Sequence, residues 1–136
     1  MDTTANLTNP CAVMIVVDDD CAVRNSLKFS LEGEGFAVRA YASGADLLNS
    51  VNSPDCDRLV IDQNLPGITG LDLIAKLRQR RILTPAILIT SHPSAAVIGR
   101  AKQAHIEIIE KPLLNHTLIE GIRTACLQTR PNPENK

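Results

Sequence analysis

An α/β fold, with a doubly wound five-stranded parallel sheet, is the class this chain predicts. Three observations point to it. Short apolar runs rich in β-branched residues alternate with amphipathic stretches at helical spacing. Five such strand–helix units succeed one another, which implies a parallel sheet with helices on both faces. The runs are continuously apolar, as in strands buried on both sides.

The elements come in a regular order. AVMIVV (12–17) is the first strand. From Cys21 to Glu34 the residues Val23, Leu27 and Leu31 recur every fourth position, a helical stripe that Gly35 is suited to end. FAVRAY (36–41) is the second strand, and Ser43 caps a short helix through about Val51. RLVI (58–61) is the third strand. Leu71 to Arg81 is helical, with Leu73, Ile74 and Leu77 inward and Arg78, Arg80 and Arg81 in the last turn, where cations suit the helix dipole. AILI (86–89) is the fourth strand. Ser94 to Ala104 is a weak helix with Gly99 inside it. IEII (106–109) is the fifth strand, and Asn115 caps a last helix with Leu118, Ile119, Ile122, Ala125 and Cys126 on one face. Residues 11–128 form one domain, flanked by polar, proline-bearing tails at 1–10 and 129–136. Two strand orders remain open at this point.

Composition narrows the function. The 136 residues carry 14 basic and 15 acidic side chains, a net charge of −1, with no electrostatic footprint for nucleic acid or anionic lipid. The aromatics Phe29, Phe36 and Tyr41 are too few for a base-stacking platform. The four cysteines, Cys11, Cys21, Cys56 and Cys126, form no CxxC pair or zinc-like spacing and read as free thiols in a reducing compartment. No apolar run reaches the ~18 residues of a membrane span, and the N-terminus lacks the pattern of a signal peptide. A cytoplasmic location is expected, with no direct nucleic-acid or membrane partner.

The chemistry lies just past the strand ends. Asp18, Asp19 and Asp20 come after the first strand, Asp62 after the third, Thr90, Ser91 and His92 after the fourth, and Glu110, Lys111 and Pro112 after the fifth. In a parallel sheet these groups share one edge, where doubly wound folds gather polar function. Singly, each has a plain explanation: Asp before a helix is a cap, and Asp20 is expected to be one; Asp before Pro-Gly is a turn residue; Lys before Pro is a surface charge. Jointly they are far more specific. Clustered carboxylates repel unless a cation joins them, and an all-oxygen site suits Mg²⁺. Lysine and threonine offer a charge and a donor to phosphoryl oxygens. The implied chemistry is phosphoryl transfer onto a carboxylate, with Asp62 as nucleophile.

The set VVDDD, VIDQNLPGITG, ILITS and EKP, in this order and spacing, resembles the receiver domain of bacterial two-component response regulators. The closest likeness is to receivers of nitrogen-fixation and LuxR-type regulators, over about residues 12–127. The resemblance implies a flavodoxin-like (βα)5 fold with strand order 2-1-3-4-5. It makes Asp62 the phosphoacceptor, and Asp18 and Asp19 the acidic pair, with Asp19 the more direct Mg²⁺ ligand. Asn64 lends a backbone carbonyl to the metal, while its side chain influences hydrolysis. Thr90 is the switch hydroxyl, Lys111 the phosphoryl-pairing lysine and Pro112 a cis-proline candidate. Ile108, where many receivers carry Tyr or Phe, is the readout position, and Ala104-His105 replaces a usual Gly-Ala, so Ala104 is expected to cost some stability or to end the helix differently. The implied partners are a sensor histidine kinase or histidine phosphotransfer protein and a protein output target, with a homodimer left open. The expected role is a stand-alone phosphoacceptor signalling domain and not a turnover enzyme. The alternatives are a receiver cut from a longer DNA-binding regulator, or an interaction module that is never phosphorylated.

Overall fold

The computed structural model describes residues 13–50 and 56–111. Within them the chain runs β1 (Val13–Val17), α1 (Cys21–Gly33), β2 (Ala37–Tyr41), α2 (Gly44–Ser50), β3 (Arg58–Asp62), α3 (Gly70–Gln79), β4 (Ala86–Thr90), α4 (Ala95–Gln103) and β5 (Glu107–Glu110). The strands form one sheet in the order β2-β1-β3-β4-β5, every neighbouring pair parallel. The expected final helix, Pro112 and both tails fall outside the described residues.

Burial tracks strand order. β3 and β4 are buried along their whole length and β1 in all but its first residue, whereas β2 and β5, at the edges, are half-exposed. Successive side chains point to opposite faces of the sheet, so each central strand feeds two cores. Ile15, Val17, Leu59, Ile61 and Leu88 pack with Leu47 of α2, Leu73, Ile74 and Leu77 of α3, and Ala101 of α4. Met14, Val16, Val60, Ile87 and Ile89 pack with Leu27 and Leu31 of α1. The predicted stripes of α1 and α3 are therefore the faces that the fold buries.

Three helices end in the same way. In α1, Gly35 N–H donates to the Glu32 carbonyl and Phe36 N–H to Leu31; Arg81 and Ile82 repeat the pattern on Arg78 and Leu77 of α3, as do His105 and Ile106 on Lys102 and Ala101 of α4. Each is a Schellman motif, which needs a left-handed residue just past the helix. Gly35, Arg81 and His105 hold that conformation, at φ of 102°, 66° and 59°. This corrects one expectation and decides another. Arg80 and Arg81 lie past the last residue of α3 and not in its last turn, and of the two outcomes expected at Ala104 the helix ends differently, without left-handed strain there, since its φ is −93°. The strained residue is His105. Phe36 likewise belongs to the close of α1 and not to β2.

Candidate functional site

At the end of β1 the three aspartates have separate surroundings. The Asp18 N–H donates to the Tyr41 carbonyl, which extends the β1–β2 ladder by one bond and holds Asp18 inside. Its side chain is buried; Oδ1 accepts the Asp20 N–H at 2.9 Å, and Oδ2 has no hydrogen-bond partner. Asp19 is exposed. Asp20 is the N-cap of α1, its Oδ1 accepting from the amides of Ala22 and Val23 at 2.9 and 3.2 Å. From the next turn Arg24 Nη1 donates to the Asp18 carbonyl at 2.8 Å and braces the loop.

Asp62 is the last residue of β3, in register with Ile89, and is buried. Its Oδ1 accepts the Asn64 N–H at 3.1 Å, and its Oδ2 accepts from Lys111 Nζ at 3.2 Å. Lys111 is placed by its own backbone, whose N–H donates to the Thr90 carbonyl at 2.8 Å. Thr90 is buried at the end of β4, its hydroxyl oxygen 3.5 Å from the Ser91 carbonyl oxygen in a long, weak contact. Strand alternation puts Thr90 on the sheet face of Leu88, and Leu88 pairs in register with Ile108. Thr90 and the half-buried Ile108 are thus diagonal neighbours on one face. His92 is exposed in the left-handed conformation, at φ 48°.

The structure therefore brings Asp18, Asp19, Asp62, Asn64, Thr90 and Lys111 to one edge. Carboxylate oxygens of Asp18, Asp19 and Asp62 all lie within 4.8 Å of one another, the one such acidic cluster among the described residues. Burial pushes the Asp18 carboxyl up from 3.8 to about 6. The charges of Asp62 and Asp19 add to that rise, while the Asp20 N–H and Lys111 oppose it. A buried carboxylate oxygen without a donor, beside two more carboxylates, is a set that a hard cation satisfies. The donors present fit Mg²⁺.

Three residues that shape this edge carry little sign of it in the sequence. Arg24 lies inside a helical pattern and gives no signal. Gln63 reads only as a polar turn residue, although its side chain accepts the Leu71 N–H at 2.9 Å. Gly70 reads only as a turn glycine. A Cβ there would meet the Asp62 carbonyl at 2.6 Å and Gln63 Cα at 2.9 Å, so only glycine lets α3 begin this close to the end of β3.

Comparison with known proteins agrees with the geometry. Residues 14–123 match the family described as response regulator receiver domain. Nodulation protein W of Bradyrhizobium diazoefficiens is 32% identical over 124 residues, which cover 90% of this chain and 55% of that protein. The transcriptional regulatory protein FixJ of Azorhizobium caulinodans is 35% identical over 111 residues, 81% of this chain and 53% of that one. Among solved structures, a CheY-like receiver domain protein from Methanospirillum hungatei superposes with a TM-score of 0.78 at 26% identity, covering 86% of this chain and 94% of the other. The chain spans about half the length of these curated relatives. With the family match covering most of its length and the acidic edge in place, the chain belongs to the response regulator receiver domain family of two-component systems.

Proposed function

We propose that Asp62 accepts a phosphoryl group from a phosphohistidine of a sensor histidine kinase or histidine phosphotransfer protein, and that the phosphorylated domain signals by protein–protein contact. The observation that carries this reading is the convergence of Asp18, Asp19 and Asp62 within 4.8 Å, with Lys111 Nζ on Asp62 Oδ2. A carboxylate oxygen of Asp62 forms the new O–P bond as the P–N bond to the donor imidazole breaks, the electron pair staying on the ring nitrogen. The Asn64 N–H on Oδ1 and Lys111 on Oδ2 fix the plane of the nucleophile before the donor arrives. Lys111 then has a phosphoryl oxygen as its partner, and the Thr90 hydroxyl, held only by a long contact, is available to donate to another. Asp18, Asp19, Asp62 and the backbone carbonyl of Asn64 would hold Mg²⁺. Bound there, the metal supplies charge neutralisation to the phosphoryl oxygens. The acyl phosphate is later lost to water, so the domain catalyses its own transfer and dephosphorylation without turnover of a separate substrate.

Incubation with a small acyl-phosphate donor and Mg²⁺, then intact mass of wild type and Asp62→Asn, tests the reading. One phosphoryl group on wild type and none on the variant is expected. No labelling of wild type would favour an unphosphorylated interaction module. A second reading concerns output. The relatives include a transcriptional regulatory protein about twice as long as the matched region, which favours a receiver belonging to a longer DNA-binding regulator; a reading frame continuing past Lys136 would establish it.

A further inference from the structure

The N-terminus of α3 is capped by the residue directly after the phosphoacceptor. A helix leaves its first amides without intrahelical partners. In α3 the three after the N-cap each have an acceptor. Gly70 N–H donates to the Gln63 backbone carbonyl at 3.0 Å, Leu71 N–H to Gln63 Oε1 at 2.9 Å, and Asp72 N–H to Thr69 Oγ1 at 3.2 Å. Thr69 is the ordinary N-cap. Gln63 is a second cap, eight residues upstream of the amide its side chain holds. The Gln63 N–H donates in turn to the Ile89 carbonyl at 2.9 Å, next to Thr90. One residue thus ties the end of β3 to both β4 and α3, and closes residues 63–70 into a ring.

That ring carries Asn64. The Asn64 N–H is on Asp62 Oδ1, and the Asn64 carbonyl is the one proposed metal ligand that no rotamer change can adjust. A carboxylate can swing to meet a cation; a backbone carbonyl goes where its loop goes. Mg²⁺ demands near-ideal octahedral geometry, so the stiffness of this loop bears directly on affinity. The close approach at Gly70 supplies the opposing wall, since even a Cβ there would collide with the Asp62 carbonyl and Gln63 Cα.

We propose that Gln63 is a positioning residue for the phosphorylation site: by pinning the start of α3 to the strand end, its side-chain carbonyl sets the loop that places Asn64 and Asp62 for Mg²⁺. The inference rests on the proposed phosphoacceptor role of Asp62. It separates Gln63 from a mere helix cap, because the side-chain cap bond of Thr69 stays within its own helix, on the Asp72 N–H.

The test compares these two caps. Gln63→Leu keeps volume and removes the acceptor; Thr69→Ala removes the neighbouring cap. Both are expected to lower Tm by a few degrees, since a lost cap costs about 1 kcal/mol. The Mg²⁺ concentration giving half-maximal labelling by a small acyl phosphate should rise about 10-fold for Gln63→Leu and stay within about twofold of wild type for Thr69→Ala. Equal shifts for both, or none for Gln63→Leu, overturn the proposal. If Gln63→Leu does not fold, Gln63→Asn, one methylene too short to reach Leu71, is judged by the same comparison. If wild type is not labelled at all, the phosphoacceptor reading has failed, and calorimetric Mg²⁺ affinity of the same variants still decides the role of Gln63.

Discussion

Lys111 Nζ sits 3.2 Å from Oδ2 of Asp62, the lysine a quarter exposed and the aspartate 3% exposed. The two are 49 residues apart in sequence and meet because β3 and β5 flank β4, with the Lys111 amide on the Thr90 carbonyl. A surface ion pair of this length would mean little. Here one partner is buried at a strand end and the other reaches it from the rim, so the cation stands where phosphoryl charge would arrive.

Lys111→Met is therefore expected to slow labelling of Asp62 on the order of 100-fold at saturating Mg²⁺, the scale of losing one preorganised charge partner. The site of modification should not move. Time-resolved intact mass with a small acyl phosphate checks the rate, and peptide mapping checks the site. An unchanged rate would remove Lys111 from the chemistry.

Asp18 makes the metal-free protein pH-sensitive. Its carboxyl is raised from 3.8 to about 6, chiefly by burial, so the folded state binds that proton more tightly than the unfolded state. The stability it contributes is complete below about pH 4 and is lost as pH rises through about 6, a span worth at most ~3 kcal/mol at ~1.4 kcal/mol per unit, and less where water at the rim screens the charge. Without Mg²⁺, Asp18→Asn should raise Tm at pH 7.5 and flatten its dependence between pH 4 and 7. Metal ligation needs the ionised form, so wild-type Mg²⁺ affinity should fall as pH drops through about 6. Calorimetry at pH 5.5 and 7.5 measures this, and equal affinities would place the metal away from Asp18.

The acidic edge was legible because its residues end apolar runs: Asp18, Asp62 and Thr90 each stand where a strand pattern breaks, and the parallel topology does the rest. What could not be read depends on where a backbone turns back on itself. Nothing in a one-dimensional pattern says that the Gln63 side chain reaches Leu71, or that α3 begins against the Asp62 carbonyl. The end of α4 shows the same limit more finely. The resemblance to receivers marks a missing glycine near Ala104, but only the bonds from His105 and Ile106 to Lys102 and Ala101 show that the left-handed residue is one position later.

That displacement by one residue is measurable. A non-glycine residue in the left-handed region costs about 1 kcal/mol, and His105 has φ 59°. His105→Gly should stabilise the domain by about 0.5–1 kcal/mol, whereas Ala104→Gly, at φ −93°, should destabilise it by a similar amount through lost helix propensity. Chemical denaturation of the two variants decides it, and the opposite order of stabilities would put the left-handed residue back at position 104.

The final expectation concerns how phosphorylation is read. Thr90 and Ile108 share a sheet face as diagonal neighbours. Ile108 is β-branched, with few rotamers, so it cannot swing between exposed and buried positions as a long ring could. The adjoining α4 is loosely held. Of its residues only Ala101 is buried and Val97 half-buried, against five buried residues in α3. Its ion pair to α3, Arg100 to Asp72 at 3.1 Å, joins side chains that are both more than half exposed, and such pairs contribute well under ~1 kcal/mol. Gly99 inside the helix costs about 1 kcal/mol more relative to Ala. An element with so few buried contacts opens at low free energy, so movement of Thr90 toward a phosphoryl group should be relayed by residues 91–104 shifting together. Hydrogen exchange with and without a phosphoryl mimic should show altered protection across 91–104. A Cβ at Gly99 would meet nothing within 4 Å, so Gly99→Ala should stiffen α4 without a clash and shrink that change while leaving labelling of Asp62 intact. Unchanged exchange in 91–104, with the mimic confirmed at Asp62, would rule the relay out.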